Sequence, residues 1–454
     1  MSKNKKLQQI ESKTQSEGTD ENIFKILTPS KKMLEKMKAK RALVYHKNST
    51  VRVAAARALS ELGIPTQMTS ICSGSYQDLK EELEKEAPDI LIVSNDIDGQ
   101  TFEEILTIHE KLKSDRLEAS FFLLSEDGSL SAALVQLDYF IDGFIVIPFT
   151  SQTLNNTIIE RLEAKSSPSK PDRIFNAARE KFILEDYIEA YNLFESACQM
   201  DELQSMALYF LGKISLKKGD VDKALEYFAD SYKHSDENYM CLAAYSKLLM
   251  DQKKFKESYE INKKFIDTFP IRPKFVRQTI LLALANHKQD DIEELTEIIP
   301  TLRSVSQENN NILAAGLIIC AKYLFEGGCE KPALKSIRNC FALAPDRPQI
   351  LEEGCIVLAS NGHQKKAITI LEKNSGIKMP KSVFLQIQME IYYHSEDYDN
   401  ILKIGQNIIN AQTNGSRCHR IFLEVAGKMK LGENQIQRVL DDAKKKFPDE
   451  NITY

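Results

Sequence analysis

The 454-residue chain has no tryptophan, no C-x-x-C pair and no H-E-x-x-H motif. Its eight cysteines stand singly at positions 72, 198, 241, 320, 329, 340, 355 and 418. That scatter excludes a zinc ribbon or a thioredoxin-type motif and leaves reduced thiols acting as small core residues. No apolar run approaches the roughly 20 residues of a membrane-spanning helix. The opening MSKNKKLQQIESKTQSEG lacks the apolar core of a signal peptide. A soluble, cytoplasmic protein is therefore expected. Neither sign of charge dominates: 60 Lys and Arg face 65 Asp and Glu, for a net charge of -5. A nucleic-acid binder would carry a basic domain, so that class is set aside. No metal or cofactor motif is present, and neither is expected.

What is present falls into stretches of different pattern. Residues 1–38 are polar and rich in Lys, Glu and Ser, as in a flexible segment. Within them, Ile23 to Lys38 has the spacing of a short amphipathic helix. From 39 to 164, short apolar runs alternate with helical spacing. The runs are Ala42–Tyr45, Ile90–Val93, Phe121–Leu124 and Phe144–Ile147, with a weaker, more polar one near Thr66–Cys72. Strands alternating with helices imply a parallel sheet covered on both faces, with the polar strand at an edge. Residues 165–172, with Pro168, Pro171 and three serines from 166 to 169, read as a linker or a short break before the next helix. From 173 to 449 the strand pattern is gone and successive helices are expected. Residues 450–454 form a tail.

The helical stretch repeats. Tyr187, Val221 and Phe255 are 34 apart, as are Ala190, Ala224 and Ser258. After one longer unit the phase resumes at Ala333, Ala367 and Ile401. Leu211–Gly212 supplies a small residue where two helices of a unit would touch. Gly219–Leu225 and Lys331–Pro345 have the turn, the second helix and the closing proline of the tetratricopeptide repeat, which this region resembles. About eight units are counted, starting near Pro171, Ser205, Tyr239, Pro273, Ala314, Pro348, Ser382 and Ser416. The fourth is longer, with an extended second helix or loop around Pro300 to Asn311. Each pair buries only part of its apolar face, and its neighbour covers the rest.

The resemblance implies that the first helix of each unit lines a concave groove. The slot after the small position would then hold Arg179, Lys213, Lys247 and Leu281, followed by Lys322, Ile356, Glu390 and Glu424. A basic ladder in the first half suits an acidic protein or peptide partner. Phe175 and Tyr209 either add stacking area there or belong to the core.

A second resemblance covers the alternating stretch. Arg41–Arg52, Leu59–Gly63, Pro88–Ser94, Phe121–Ser125 and Gly143–Phe149 resemble the segments of a bacterial response-regulator receiver domain. The resemblance implies an α/β doubly wound, five-stranded parallel sheet of receiver or flavodoxin type, followed by the all-α superhelix. It also implies a phosphorylation pocket: an acidic pair after the first strand, an acceptor aspartate after the third and a lysine after the fifth. Here His46 and Lys47 stand for the pair, Ser94 for the acceptor and Ile147 for the lysine. Only Ser125, at the hydroxyl position, and Pro148, expected after a cis bond, match. Mg²⁺ would lose its carboxylate ligands, and a serine forms no acyl phosphate. This points to a pseudo-receiver outside the family's phosphorelay. Asp96 and Asp98 are the acids that a shift of register would bring forward. A Ser94 nucleophile with His46 as base lacks a third orienting group and a G-x-S-x-G elbow.

The expected function is a non-catalytic adaptor or scaffold in bacterial two-component signalling. Its groove would hold a protein or peptide, and its receiver-like domain would dock or dimerise. The alternatives are a phosphorylation-responsive regulator and a chaperone or assembly factor for a secretion, pilus or motility system.

Overall fold

The structure, a computed structural model, describes residues 29–98, 100–302, 307–374, 380–409, 416–448, 450 and 452. The expectations for residues 1–28 and for most of the 450–454 tail lie outside the described residues. The second half of the expected lead-in helix is present as α1 (Lys31–Met37), capped by the Ser30 hydroxyl, which accepts the Met33 N–H.

Five strands form one parallel sheet: β1 (Ala42–Tyr45), β2 (Thr69–Cys72), β3 (Ile90–Ser94), β4 (Ser120–Ser125) and β5 (Gly143–Val146). Their order is β2-β1-β3-β4-β5, the flavodoxin-like doubly wound order. Each central strand is an unbroken apolar run because both of its faces are covered. Successive side chains point to opposite faces. Ala42, Val44, Ile90, Ile92, Phe122, Leu124 and Ile145 meet α1, α2 (Ser49–Glu61) and α7 (Ser151–Ser166). Leu43, Tyr45, Leu91, Val93, Phe121 and Leu123 meet α3 (Tyr76–Glu86), α4 (Glu103–Leu112) and α6 (Val135–Tyr139), which follows the short α5 (Leu130–Ala133), through residues such as Leu79, Ile105 and Val135. The polar β2 lies at the edge, with Ile71 exposed. The stretch before it, Thr66–Met68, is a 3₁₀ turn rather than strand.

Between the sheet and the helical stretch the structure has a short break before the next helix. Helix α7 runs through Ser166 and α8 (Lys170–Ile183) starts four residues later. A capping box between Ser169 and Asp172 starts α8 at once, and Pro171 sits in its first turn, where its missing N–H costs nothing.

Eight helix pairs follow. They are α8 with α9 (Tyr187–Ala197), α10 (Gln204–Lys217) with α11 (Val221–His234), α12 (Tyr239–Asp251) with α13 (Phe255–Thr268), and α14 (Pro273–Ala285) with α15 (Gln289–Ile298). Next come α16 (Gln307–Glu326) with α17 (Glu330–Leu343), α18 (Pro348–Ser360) with α19 (Gln364–Lys373), α20 (Lys381–His394) with α21 (Tyr398–Ile409), and α22 (Arg417–Lys428) with α23 (Glu433–Lys446). The small positions Ala178, Ala190, Ala224, Ser258, Ala333 and Ala367 are all fully buried. A Cβ on Gly212 would stand 2.6 Å from the Phe228 ring, so the glycine lets α10 and α11 touch.

The period also runs through the backbone. In each described turn within a pair, one residue has positive φ: Glu185, Gly219, Lys253, His287, Gly328, Gly362, Glu396 and Lys430. Five of the eight are not glycine, so residue type alone hides most of this register. The extra length of the middle unit is not in a second helix. Helix α15 is short and ends in a 3₁₀ turn, Ile299–Leu302. The described excess instead lengthens α16, which begins seven residues before the expected Ala314.

The chain divides into two compact units. One ends at Leu248 and takes in Asp267–Pro270; the other holds Leu249–Ile266 and everything from Ile271. In the first, the helical core is built on Phe194 and Phe210, stacked at 4.7 Å. In the second, an aliphatic core extends from Ile271 to Ile391, and a smaller cluster from Met389 to Ile452 closes the last pair. Among the described residues no helix is long and apolar enough to cross a membrane.

Candidate functional site

The five residues singled out for the receiver-like pocket all lie at the C-terminal ends of the strands. His46 and Lys47 follow β1, Ser94 ends β3, Ser125 ends β4 and Ile147 follows β5. Their environments differ. His46 is 8% exposed, and its Nδ1 accepts the Asn48 N–H at 3.0 Å. Burial lowers its pKa, which favours the uncharged ring. The Lys47 ammonium meets the Asp98 carboxylate at 2.6 Å, and that hydrogen bond raises its pKa. Arg52 donates to the carbonyls of His46 and Lys47, tying the loop to α2. The Ser125 hydroxyl closes a local turn: it donates to the Asp127 carbonyl and accepts the Asp127 N–H. Ile147 packs against the core on the α2–α7 face, and the Ile147–Pro148 bond is cis. Asp96 belongs to a two-residue strand paired with Thr101. Asp98 has a positive φ of 58° and is committed to Lys47. Among the described residues no cluster of His, Cys, Asp and Glu is arranged to hold a metal ion.

The six groove candidates do not share one environment. Lys247 and Lys322 are exposed, and Lys213 is half-buried. Burial, then the neighbouring Lys217, lowers the Lys213 pKa. Phe175 and Tyr209 belong to the helical core: Phe175 packs edge-on to Phe194 and Phe210, and Tyr209 is 5% exposed. Arg179 is not open to a groove. Its side chain is 12% exposed, stands 3.8 Å from Glu110 of α4 and lies over the Phe140 ring at 4.4 Å. The equivalence of Arg179, Lys213 and Lys247 in sequence is therefore broken by what covers them.

Arg179 leads into a cluster of charges that the sequence did not reveal. It sits at the N-terminal ends of β3, β4 and β5. Asp142, just before β5, accepts the Phe121 N–H at 2.9 Å and pairs with Lys165 at 2.5 Å and Arg116 at 3.5 Å. Lys165 also donates to the Ala119 carbonyl and the Ser120 hydroxyl. Arg116 reaches His109 Nδ1 at 3.2 Å, while His109 Nε2 faces the Pro88 carbonyl at 3.0 Å. The Nε2 must therefore carry the proton, and Nδ1 accepts from the guanidinium. Burial, then Arg116, pushes the His109 pKa down to about 3, so the ring is neutral. Burial pushes Lys165 down to about 8 and Glu110 upward. Arg116, Lys165 and Arg179 outnumber Glu110 and Asp142 in this enclosed space. No local motif could announce the cluster, because its members are drawn from loops and helices joined only by the sheet.

The same junction carries apolar contacts. Phe140, held at φ 52°, packs on Phe210 at 5.6 Å as well as under Arg179. Ser114 donates to Glu180 at 3.2 Å, and Lys111 pairs with Glu185 at 3.5 Å.

No family model matches the chain, and no curated protein matches it. Solved structures similar to it include a tetratricopeptide repeat protein from Parabacteroides merdae, at 13% identity over 56% of this chain and 98% of that one, with a TM-score of 0.33. YrrB, described as a TPR protein with an unusual peptide-binding site, aligns at 11% identity over 42% and 96% of the two chains, with a TM-score of 0.32. The Naa15/Naa10 complex bound to HypK-THB aligns at 12% identity over 62% of this chain and 43% of that one, with a TM-score of 0.42. At these scores the likenesses carry no statement about ligands.

Proposed function

We propose that this protein is a non-catalytic adaptor that holds a protein or peptide on the inner face of its helix pairs. The observation that carries the reading is a contrast within α10 and α12. Their small and apolar positions are consumed by the core, while Lys213 and Lys247, one period apart, are not. A pair of lysines on that face favours an acidic partner segment. The sheet domain is read as a pseudo-receiver in a bacterial signalling setting, with docking or dimerisation as its contribution. The Lys47–Asp98 pair supports that reading, because an acid at this end of the sheet is already paired with a cation, which disfavours a bound metal ion there.

Affinity capture from the native cell tests the adaptor reading. The wild-type chain is expected to retain a partner that a Lys213→Glu, Lys247→Glu variant loses. Retention of every partner by that variant would count against it. Incubation with Mg²⁺ and labelled acetyl phosphate is expected to leave the sheet domain unlabelled; label at Asp96 or Asp98 would restore the phosphorylation-responsive alternative.

A further inference from the structure

The junction between the sheet and the first helix pair lies on the face that the repeat register assigns to ligands. Arg179 holds the place in α8 that Lys213 holds in α10. At Lys213 no carboxylate partner stands among the described residues, and burial and Lys217 both disfavour its charge. At Arg179 a carboxylate and an aromatic ring are both supplied from within the chain.

We propose that the sheet domain is a built-in, displaceable ligand of the first helix pair: Glu110 and Phe140 occupy its inner-face slot in cis, and a partner gains that slot only when these two contacts open. The proposal rests on the groove reading above. Its chemistry is that of an acid beside an aromatic ring, so a competing partner segment carries the same combination.

Three observations make the contact displaceable rather than permanent. First, the Glu110–Arg179 separation of 3.8 Å is an ion pair without a hydrogen bond. Second, burial opposes charge on both partners, raising the Glu110 pKa and lowering that of Arg179 to about 10. A buried pair of this kind is a weak net stabiliser of the closed state. Third, the rim is not sealed by apolar packing. Leu112 and Leu184, next to the Lys111–Glu185 pair, remain 40% and 50% exposed. The sheet's own faces, by contrast, are closed by side chains such as Leu91 and Phe122 with no exposure.

The test uses the full chain and needs no partner. Arginine modification by phenylglyoxal, mapped by peptide mass, reads access to Arg179 against the exposed Arg173 as reference. Native-state hydrogen exchange reads α8 against β3 and β4. In the wild type, Arg179 is expected to react about tenfold more slowly than Arg173, and α8 amides to exchange about tenfold faster than those of β3 and β4. In Phe140→Ala and in the milder Glu110→Gln, Arg179 is expected to approach the rate of Arg173 while β3 and β4 stay protected. Arg179 remaining slow in both variants overturns the proposal. So does α8 exchanging only at the rate of β3 and β4 in the wild type, a measurement that no folding defect of a variant can obscure. These readouts are independent of partner capture, so a failure here is distinguishable from a failure of the adaptor reading.

Discussion

At the N-terminal ends of the strands, the Arg116, Asp142 and Lys165 side chains are 3%, 9% and 16% exposed, and both cations pair with the one carboxylate. At the C-terminal ends, Lys47 and Asp98 form a single pair with 61% and 44% of their side chains in solvent. In open α/β sheets it is the C-terminal edge that takes ligands. In this molecule the elaborate chemistry has moved to the other edge, where it meets the first helix pair. The difference teaches that a charged cluster can be an internal fastening: low dielectric makes its members depend on one another, whereas solvent makes Lys47 and Asp98 nearly independent.

The largest test of that contrast is Asp142→Ala. It leaves Lys165 and Arg116 buried without their shared carboxylate and the Phe121 N–H without its acceptor. A loss of about 3–5 kcal/mol is expected in denaturant unfolding of the first unit. A loss under 1 kcal/mol would show that water already screens the cluster. Arg179→Met is expected to cost about 2 kcal/mol. It strands the partly buried Glu110 but leaves the Asp142 hydrogen bonds intact.

A pH series gives the next effect. Burial lowers the Lys165 pKa from 10.5 to about 8. Between those values the folded chain binds fewer protons than the unfolded chain, so this group's contribution to stability rises with pH. It levels off below about pH 7, where both states are protonated. The wild type is therefore expected to gain about 1 kcal/mol relative to Lys165→Met between pH 8 and 9. The comparison stops at pH 9 because buried thiols such as Cys320 and Cys355, each pushed up to about 12 from 9.0, act in the opposite direction beyond it. A flat difference between the two proteins would mean that Lys165 is solvated. The smallest effect belongs to the other edge. Lys47→Ala is expected to leave the unfolding midpoint essentially unchanged, with any difference shrinking further at high salt. A change as large as that of Asp142→Ala would erase the distinction between the edges.

Much of the architecture was legible because it is written in local periodicity. The apolar runs at Ala42, Ile90 and Phe121 locate the central strands within a residue or two. Pro171, Ser205, Tyr239, Pro273, Pro348, Ser382 and Ser416 each lie at or within one residue of the start of a helix. The ambiguities have local causes too. The repeat period expects the added length in an extended second helix or loop around Pro300 to Asn311; α15 stays short, Pro300 sits in a 3₁₀ turn, and α16 takes up the described excess. Pro168 and Pro171 fit a linker or a short break equally well in sequence, and the break is short because Pro171 lies in the first turn of α8.

The sequence by itself determined where seven of the eight helix pairs begin, which positions within them are small, and that His46, Lys47, Ser94 and Ile147 are not the residues a receiver pattern requires. Those are consequences of spacing and residue chemistry along the chain. Only the tertiary structure decided what covers each of the equivalent cations. Lys213 and Arg179 occupy the same slot one period apart, yet Glu110 and Phe140 cover Arg179 alone. They lie 69 and 39 residues from it in sequence. Burial depends on what folds against a residue, and at those separations that is set by how the sheet brings α4 and the loop before β5 to α8.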